Sequence, residues 1–265
     1  MLQVSQLFIY PVKSLGGIAV TKAQVTDRGL MHDRRWMLID NNNRFLSQRE
    51  HANMALFNVA IKDEGLLITY QPDGSNIIVP FQPETDEQIQ VTVWDDTCVG
   101  IRVSDAVDQW FTAILNMPCR MVYMPDVSHR NVDPRYALDG EVTSFADAYP
   151  FLLIGQSSLD ELNSRLEEKI SIDRFRPNIV FTGGEPFQED EMKHFAINGI
   201  HFYGVKLCAR CVMVTINQQT AAKGTEPLKT LAKYRFKNNK ILFGQNLLHK
   251  GEGELSLGNT LQILA

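Results

Sequence analysis

Short apolar runs separated by turn residues dominate the first hundred residues, and they restrict this chain to a β-rich fold. The runs contain many β-branched and aromatic residues, with turns such as Asp27-Arg-Gly and Asn41-Asn-Asn between them. They predict strands near 4–10, 19–26, 35–39, 56–61, 66–70, 76–79, 90–93 and 98–103. Turns that recur every roughly 8–12 residues are typical of an all-β sandwich or barrel. We therefore expect a mainly β protein.

A few helices are predicted to pack on these strands. Ser104 precedes an apolar pattern of helical period over 105–115, so it is predicted to cap that helix. Other helices are expected at 157–170 and 226–233, and strands at 178–182, 241–247 and 260–264. The Asn198-Gly199 pair inside 196–202 is a strong hairpin signal. The fold class predicted is mainly β, of α+β type.

Composition and charge exclude several classes of protein. A hydrophobic content of 44% and a charged content of 22% are typical of a globular chain. We expect no membrane span, because no apolar run reaches about 18 residues. The N-terminus lacks the basic and small-residue pattern of a signal peptide, so we expect a cytoplasmic protein. The net charge of −5 speaks against a nucleic-acid partner, so any anion site must be local.

Cys208 and Cys211 form a Cys-x-x-Cys pair, and we expect the chemistry at Cys211. Arg210 lies between them, and a neighbouring cation favours the thiolate, which is both the nucleophile and the metal ligand. The run after Cys211 is β-branched and apolar. It predicts a strand that begins at the pair.

Other interpretations of the pair stay open. A structural zinc site needs four ligands, whereas Cys98 and Cys119 are isolated and no closely spaced histidine pair accompanies them. A thioredoxin-like site would put its first cysteine at a helix N-terminus, which the predicted strand argues against. The two thiols could also be inert core side chains or a disulfide.

Four stretches place basic or polar side chains at predicted strand ends. They are Pro11-Val-Lys-Ser14, Asp33-Arg-Arg-Trp36, Phe175-Arg-Pro-Asn178 and Cys208-Ala-Arg-Cys211. Arginine suits phosphate because its planar group can donate two parallel hydrogen bonds. Taken alone, the basic side chain of each stretch is more simply interpreted as a solvated charge at the edge of a sheet. Asp33 and Arg34 could equally form a surface ion pair. Spacing alone does not show that the four stretches meet.

A polar, proline-containing stretch at 124–143 predicts a long loop, either a lid over a site or a mobile linker. It contains His129, Arg130, Asp133 and Arg135. His32 and His51 also fall in predicted loops, where a lone histidine is usually just solvated. No proton donor can be chosen from the sequence.

Eight stretches occur in an order that resembles one family. They are Ile9-Tyr-Pro-Val-Lys-Ser14, Gly29–Trp36, Ser144-Phe-Ala-Asp-Ala-Tyr-Pro150, Ser157-Ser-Leu-Asp-Glu-Leu-Asn163, Phe175-Arg-Pro-Asn-Ile-Val180, Cys208-Ala-Arg-Cys211, Glu226-Pro-Leu-Lys-Thr-Leu231 and Phe243-Gly-Gln-Asn246. Over essentially the whole chain they resemble the MOSC proteins with an N-terminal MOSC β-barrel region, such as mitochondrial amidoxime-reducing components and bacterial YcbX-type proteins. The resemblance implies a MOSC β-barrel with an associated β-rich N-terminal region and a few packing helices. It divides the chain into an N-terminal region, 1–122, and a MOSC domain, 123–265, packed intimately together.

The resemblance also implies a molybdenum cofactor, and no pyridoxal phosphate is expected. In this family the second cysteine of the pair ligates molybdenum beside a pterin dithiolene, which makes Cys211 the predicted metal ligand and catalytic residue. Soft thiolate ligands suit softer metals. Cys208 has no assigned role. The predicted cofactor contacts are Lys13, Ser14, Arg34, Asp147, Ala148, Tyr149, Arg176, Asn178, Ala209, Arg210 and Asn246.

The activity implied is reduction of N-hydroxylated compounds, such as amidoximes, hydroxylamines and N-hydroxylated bases. YcbX-type proteins commonly continue into a ferredoxin domain with a Cys-x4-Cys-x2-Cys pattern, whereas residues 257–265 contain no cysteine, so either the natural protein lacks that domain or this is part of a longer protein. We therefore expect electrons from a separate ferredoxin- or flavoprotein-type donor. The alternative function is a carrier that holds the cofactor, or a persulfide sulfur on Cys211, without turnover.

Overall fold

The computed structural model describes residues 1–264 and consists mainly of strands. The strands are β1 (Gln3–Ile9), β2 (Ile18–Val20), β3 (Lys22–Thr26), β4 (Gly29–Leu30), β5 (Trp36–Ile39), β6 (Phe57–Lys62), β7 (Gly65–Tyr70), β8 (Asn76–Pro80), β9 (Gln88–Val93), β10 (Asp96–Arg102), β11 (Arg120–Tyr123), β12 (Phe151–Gly155), β13 (Ile179–Thr182), β14 (His194–Ile197), β15 (Ile200–Ala209), β16 (Phe236–Lys237), β17 (Lys240–Lys250), β18 (Gly253–Ser256) and β19 (Leu261–Ile263). The helices are α1 (Asp105–Leu115), α2 (Gln156–Ser164) and α3 (Leu228–Leu231), with short 3-10 segments at Ala52–Leu56, Ile172–Phe175, Gln188–Asp190 and Val212–Thr215. The predicted fold class, mainly β with a few packing helices, is confirmed.

The largest sheet closes on itself, and its interior is one of the main cores. Its strands follow the order β19-β14-β15-β17-β12-β13-β1-β2, with β16 added beside β17. The backbone N–H of Leu261 also donates to Leu2 O at 3.0 Å, so the first and last strands of the chain meet. Residues two apart on these strands are buried together, including Leu7 with Ile9 and Phe195 with Ile197. Closure leaves this barrel few free edges.

Smaller sheets and α1 form a second core in the N-terminal half. The sheets have the orders β5-β11-β10-β9 and β6-β7-β8. Phe57 and Phe111 are buried there with their ring centroids 5.3 Å apart, which ties β6 to α1. The predicted cap of α1 is confirmed, because Ser104 Oγ accepts a hydrogen bond from Val107 N at 3.3 Å.

The first thirty residues pair with strands from the C-terminal half. β1 is antiparallel to β13, and β3 is antiparallel to β18. These pairings place the start of the chain in the barrel that residues 151–263 complete. The division at 122/123 stays a prediction, and any cut there would remove strands from the barrel.

The strand predicted after Cys211 is wrong. Cys208 instead lies near the end of β15, and Cys211 precedes the 3-10 turn Val212–Thr215. Val214 and Thr215 are buried in this turn, and Thr215 Oγ1 bonds back to Val212 O at 2.7 Å. Packing thus overrides the β propensity of the run. A thioredoxin-like site would need a helix that starts at the first cysteine, and here a single four-residue turn comes after the second.

Two predicted helices are shorter than expected, and one predicted strand is divided. The helix predicted at 157–170 ends at Ser164, because the Asn163 side chain binds both N–H and C=O of Ile170 and closes a loop. The one predicted at 226–233 is the single turn α3. The strand predicted at 19–26 breaks after Val20, where the chain leaves the barrel for the β18-β3-β4 sheet. The Asn198-Gly199 hairpin is confirmed, with both residues at positive φ.

Strand β12 was missed, although it lies in the middle of the barrel sheet. Its residues are all buried, and it runs parallel to β13 and antiparallel to β17. A short strand buried on both faces has no polar–apolar alternation, so periodicity does not reveal it. The continuous apolar run Phe151–Ile154 was the available signal.

Candidate cofactor-binding site

The barrel opens into a cleft that is lined by residues of several strands and of the turns beside them. Lys13 and Ser14 follow β1, Asn178 precedes β13, and Cys208 and Ala209 end β15. The cleft encloses about 840 Å³, counting its open mouth. All twelve residues predicted for the site line it: Lys13, Ser14, Arg34, Asp147, Ala148, Tyr149, Arg176, Asn178, Ala209, Arg210, Cys211 and Asn246. The four basic stretches therefore meet in space.

Lys13 is buried at one side of the cleft. Its Nζ donates to Phe145 O at 2.8 Å and lies 2.6 Å from Asp147 Oδ1. Burial lowers the pKa of this ammonium to about 8, although the Asp147 carboxylate opposes the shift. The pair fixes the 145–147 segment against the turn after β1.

Arg34 is held by a buried carboxylate rather than by a surface ion pair. Its Nη1 lies 2.6 Å from Asp33 Oδ2, and the Asp33 side chain is 1% exposed. The same carboxyl group accepts the backbone N–H of Tyr10 at 2.8 Å. Arg34 also donates to Asn178 Oδ1 and to Arg176 O, both at 3.2 Å. The expectation of a solvated pair is wrong here, because Asp33 organises the centre of the cleft wall.

Arg176 stacks on Tyr10 and keeps one donor free. Its guanidinium lies 4.2 Å from the Tyr10 ring centroid, and that of Arg34 lies 4.3 Å from the same centroid. Arg176 Nη1 donates to Leu15 O at 2.6 Å. Its Nη2 is buried and has no hydrogen-bond partner within residues 1–264. Burial and the charge of Arg34 together lower the pKa of Arg176 to about 10.

Arg210 contacts Cys208 rather than Cys211. Its Nη1 lies 2.9 Å from Cys208 Sγ, and its Nη2 donates to Phe175 O at 2.6 Å. The sequence analysis assigned this cation to the Cys211 thiol. Cys208 is half-buried, whereas Cys211 is exposed, and both are free thiols. Cys211 is thus the thiol presented at the mouth, and Cys208 orients the neighbouring arginine.

Three cleft residues have a left-handed backbone, which is uncommon for residues other than glycine. The φ angles are 68° at Ser14, 50° at Arg34 and 56° at Arg176. Such conformations cost free energy and concentrate at functional sites. Three of them in one cleft wall indicate that the wall is shaped for a ligand rather than for stability.

Three arginines that the sequence analysis did not assign to the site take part in it. Arg49 and Arg174 line the cleft, and Arg49 stacks 4.3 Å from the centroid of Trp94. Arg130, from the predicted loop, is buried and donates to the carbonyls of Ser144, Ala146 and Asp147. Neither a motif nor a periodicity marks these positions in the sequence. The segment at 124–143 is indeed mostly irregular, and Arg130 anchors it under the cleft.

The charges and free donors of the cleft fit an anionic group. Six cations line it, Lys13, Arg34, Arg49, Arg174, Arg176 and Arg210, against the single carboxylate of Asp147 in the described chain. Besides Arg176 Nη2, the buried Arg210 Nε has no partner among residues 1–264. Buried donors without acceptors are rare and costly. The residues present therefore fit a phosphate-bearing cofactor with a soft metal at Cys211.

None of the three loop histidines lines this cleft. His32 stacks on Phe81 with ring centroids 4.9 Å apart, and burial lowers its pKa. His129 lies in an adjoining groove that shares Asp147 and Ala148 with the cleft. Within residues 1–264 no cluster of three or more His, Cys, Asp or Glu side chains could hold a metal ion. No helix in the described part of the chain is long and apolar enough to cross a membrane.

The chain is similar to two domain families and to several known proteins. Residues 1–118 match the MOSC N-terminal beta barrel domain, and residues 140–262 match the MOSC domain. The chain is 30% identical to mitochondrial amidoxime-reducing component 1 from Mus musculus, over 98% of this chain and 82% of the relative. It is 32% identical to the molybdenum cofactor sulfurase of Arabidopsis thaliana, over 93% of this chain and 33% of that longer protein. The solved structure of the YuaD protein from Bacillus subtilis aligns over 98% of the chain at 9% identity and a TM-score of 0.41.

Fold, cleft and relatives together define a molybdenum-cofactor-related β-barrel protein. The chain belongs to the MOSC family, in the group that carries the MOSC N-terminal beta barrel domain. The resemblance noted in the sequence is thereby confirmed.

Proposed function

We propose that this protein is a molybdenum-cofactor-dependent reductase of N-hydroxylated compounds. The observation that carries the proposal is the convergence in one cleft of six cations and the exposed Cys211 thiol, with two arginine donors that have no partner in the described chain. The similarity to amidoxime-reducing components over 98% of the chain supports the substrate class. When bound, the cofactor would supply the two-electron redox chemistry.

Different residues of the cleft would bind different parts of the cofactor. Cys211 would ligate the metal at the mouth of the cleft. Arg176 and Arg210 would donate their free N–H groups to the anionic part of the cofactor, with Lys13 adding charge. Asp33 and Asn178 would keep Arg34 in position, since both accept its hydrogen bonds.

The other predicted contacts would complete the cofactor pocket. Ser14, Ala148, Tyr149, Ala209 and Asn246 line the cleft at its walls. Tyr149 is buried, and burial raises the pKa of its phenol. A neutral phenol at neutral pH would act as a hydrogen-bond donor rather than as an anion beside the cofactor.

Turnover of benzamidoxime with a small-molecule reductant tests this proposal. Protein from a host that makes the cofactor is expected to convert benzamidoxime to benzamidine, consuming two electrons and two protons and releasing water. Replacing an outer-shell partner of a metal ligand costs roughly 10–100-fold in activity, and Cys211→Ser, which replaces the ligand itself, is expected to lose at least as much. Cofactor-loaded protein without turnover would contradict the proposal.

A carrier of the cofactor or of sulfur is the second candidate. The similarity to a molybdenum cofactor sulfurase over 93% of the chain, together with the exposure of Cys211, favours it. A carrier would release its cargo to an acceptor protein and show no benzamidoxime turnover. A persulfide on Cys211 would appear as a mass increase of one sulfur atom that reducing agents remove.

We place the protein in the cytoplasm, with its electrons supplied by a separate ferredoxin- or flavoprotein-type donor. Several relatives are named as mitochondrial, so the compartment calls for a direct test. Fractionation of the source cells with an antibody against the chain would test the compartment.

A further inference from the structure

A basic segment beside the cleft has no role in holding the cofactor. Residues 229–240, named the basic segment, contain no acidic residue in a chain whose net charge is −5. Its cations are Lys229, Lys233, Arg235, Lys237 and Lys240. The four lysines are exposed and form no ion pair within residues 1–264, whereas Arg235 pairs with Asp190 at 2.6 Å. None of the five lines the cleft. Unpaired like charges repel one another, so their concentration indicates an external partner.

The basic segment lies next to the Cys208–Cys211 stretch. β16 and β17 form a hairpin in which Lys237 pairs with Lys240 across Asn238 and Asn239. β17 also pairs with β15, and the backbone N–H of Arg210 donates to Ile241 O at 2.8 Å. Lys240 precedes Ile241, and Cys211 follows Arg210. The lysines of the hairpin therefore lie at the rim of the cleft on the Cys211 side.

Exposed apolar side chains lie within and beside these charges. Phe236 is 58% exposed inside the basic segment, and Val212, the residue after Cys211, is 56% exposed. An aromatic anchor surrounded by charged residues is typical of a protein-binding surface. A small substrate would need neither the lysines nor an aromatic outside the cleft. A folded protein partner would use both.

We propose that the basic segment is the docking surface for an acidic one-electron carrier protein of the iron–sulfur ferredoxin type. The proposal rests on the reductase function given above. Cleavage of one N–O bond consumes two electrons and two protons, so two reduced carriers must dock in turn, each leaving oxidised by one electron. Charge attraction provides fast and short-lived binding of this kind. The position beside Cys211 keeps the electron path to the metal short.

A charge reversal with a matched control tests the proposal. Lys240→Glu reverses one exposed lysine of the basic segment, and Lys62→Glu reverses one exposed lysine at the end of β6, away from cleft and segment. Cofactor-loaded protein would be assayed with benzamidoxime, using either a reduced plant-type [2Fe–2S] ferredoxin or a small-molecule reductant. Lys240→Glu is expected to raise KM for the ferredoxin about tenfold and to leave the rate with the small reductant within about twofold.

The same variants separate this proposal from the reductase function. An equal KM for the ferredoxin in Lys240→Glu and Lys62→Glu would overturn the docking surface while turnover remains. If the wild-type protein shows no turnover with the small-molecule reductant, the proposed reductase function is wrong. The docking surface is then tested separately, by measuring the binding of oxidised ferredoxin with calorimetry. Binding that weakens in Lys240→Glu and with added salt supports the surface. No binding by the wild-type protein overturns it.

Discussion

The buried cations of the cleft lower the local stability of the fold. Arg176 is buried beside Arg34, shares one aromatic ring with it and has one donor without a partner among residues 1–264. Lys13 is buried with a lowered pKa. A protein selected only for stability would avoid these features. They are explained when an anion bound in the cleft provides the missing acceptor.

Anion binding is expected to depend on the protonation of Lys13. In the empty cleft its pKa is about 8, so the ammonium loses its charge as the pH rises through 8. Sulfate keeps its charge over this range. The increase in Tm caused by sulfate is therefore expected to fall to roughly half or less between pH 7 and pH 9.5.

A thermal melt with and without sulfate at each pH makes this measurement, and Lys13→Met is the control. The variant is expected to show a small sulfate effect with no pH dependence. Without an anion, Lys13 should make the wild-type free energy of unfolding rise between pH 8 and 10.5, because the unfolded chain then binds more protons. An equal sulfate effect at pH 7 and pH 9.5 in wild type would exclude this role of Lys13.

Replacing Arg176 is expected to abolish anion binding with little effect on the stability of the protein. Arg176→Met removes a buried charge but also the donor to Leu15 O, so the free energy of unfolding without ligand should change by less than about 2 kcal/mol in either direction. The sulfate-induced increase in Tm should disappear. Arg165→Met is the matched control, since Arg165 lies outside the cleft and pairs with Glu161 at the surface. Retention of the sulfate effect in Arg176→Met would rule out its free donor as an anion contact.

At the scale of single residues, the sequence located the cleft but not its internal contacts. The predicted residues were carried over from motifs that resemble a family, and all twelve line one cleft. The partner of Arg210, the burial of Asp33 and the part played by Arg49 depend on side chains that are distant in sequence. Spacing along the chain carries no information on such contacts.

Among the elements, the segment 144–149 depends on one arginine from the irregular stretch before it. Arg130 is 4% exposed and satisfies three carbonyls of the segment, in addition to pairing with Asp96 at 2.9 Å. Asp147, the partner of Lys13, belongs to this segment. The irregular stretch therefore acts as a support for the cleft.

Arg130→Met is expected to loosen this segment. Three buried or partly buried carbonyls would lose their donor, so the free energy of unfolding should fall by about 2–4 kcal/mol. Amide hydrogen exchange in residues 143–149 should accelerate more than elsewhere. Arg135→Met is the control, because Arg135 is exposed and its one ion pair within residues 1–264 is with Asp133, so this variant should melt like the wild type. Equal exchange in the two variants would mean that Arg130 does not hold the segment.

The errors at this scale have a common physical origin. β propensity predicted a strand after Cys211, where burial of Val214 and Thr215 instead stabilises a 3-10 turn. β12 escaped detection because it is buried on both faces. Elements with one exposed face, such as α1 and the hairpin at Asn198-Gly199, were predicted well. The local sequence of these elements shows their polar–apolar pattern. The conformation of a fully buried element depends instead on neighbours from elsewhere in the chain.

For the whole molecule, the barrel is assembled from both ends of the chain. β1 pairs with β13, and Lys13 and Arg34 approach the cleft from the N-terminal side. The predicted boundary at 122/123 would divide both the barrel and the cleft. Sequence similarity delimits the two matched regions, but it does not show which strands they share.

A fragment of residues 123–265 is therefore expected not to fold alone. It lacks β1, so β13 would have an unpaired edge, and such edges promote aggregation. The fragment should show no cooperative thermal transition and no stabilisation by sulfate. The full chain under the same conditions is the control. A cooperative transition of the fragment near the Tm of the full chain would establish residues 123–265 as an independent domain.

The central claim, that Cys211 ligates molybdenum in a cofactor held by the basic cleft, is tested most directly by elemental mass spectrometry. Wild type and Cys211→Ser would be purified from a host that makes the molybdenum cofactor, and their molybdenum and zinc contents compared. We expect near-stoichiometric molybdenum in wild type and its loss in Cys211→Ser. A wild-type protein without molybdenum, or with zinc in its place, would contradict the account.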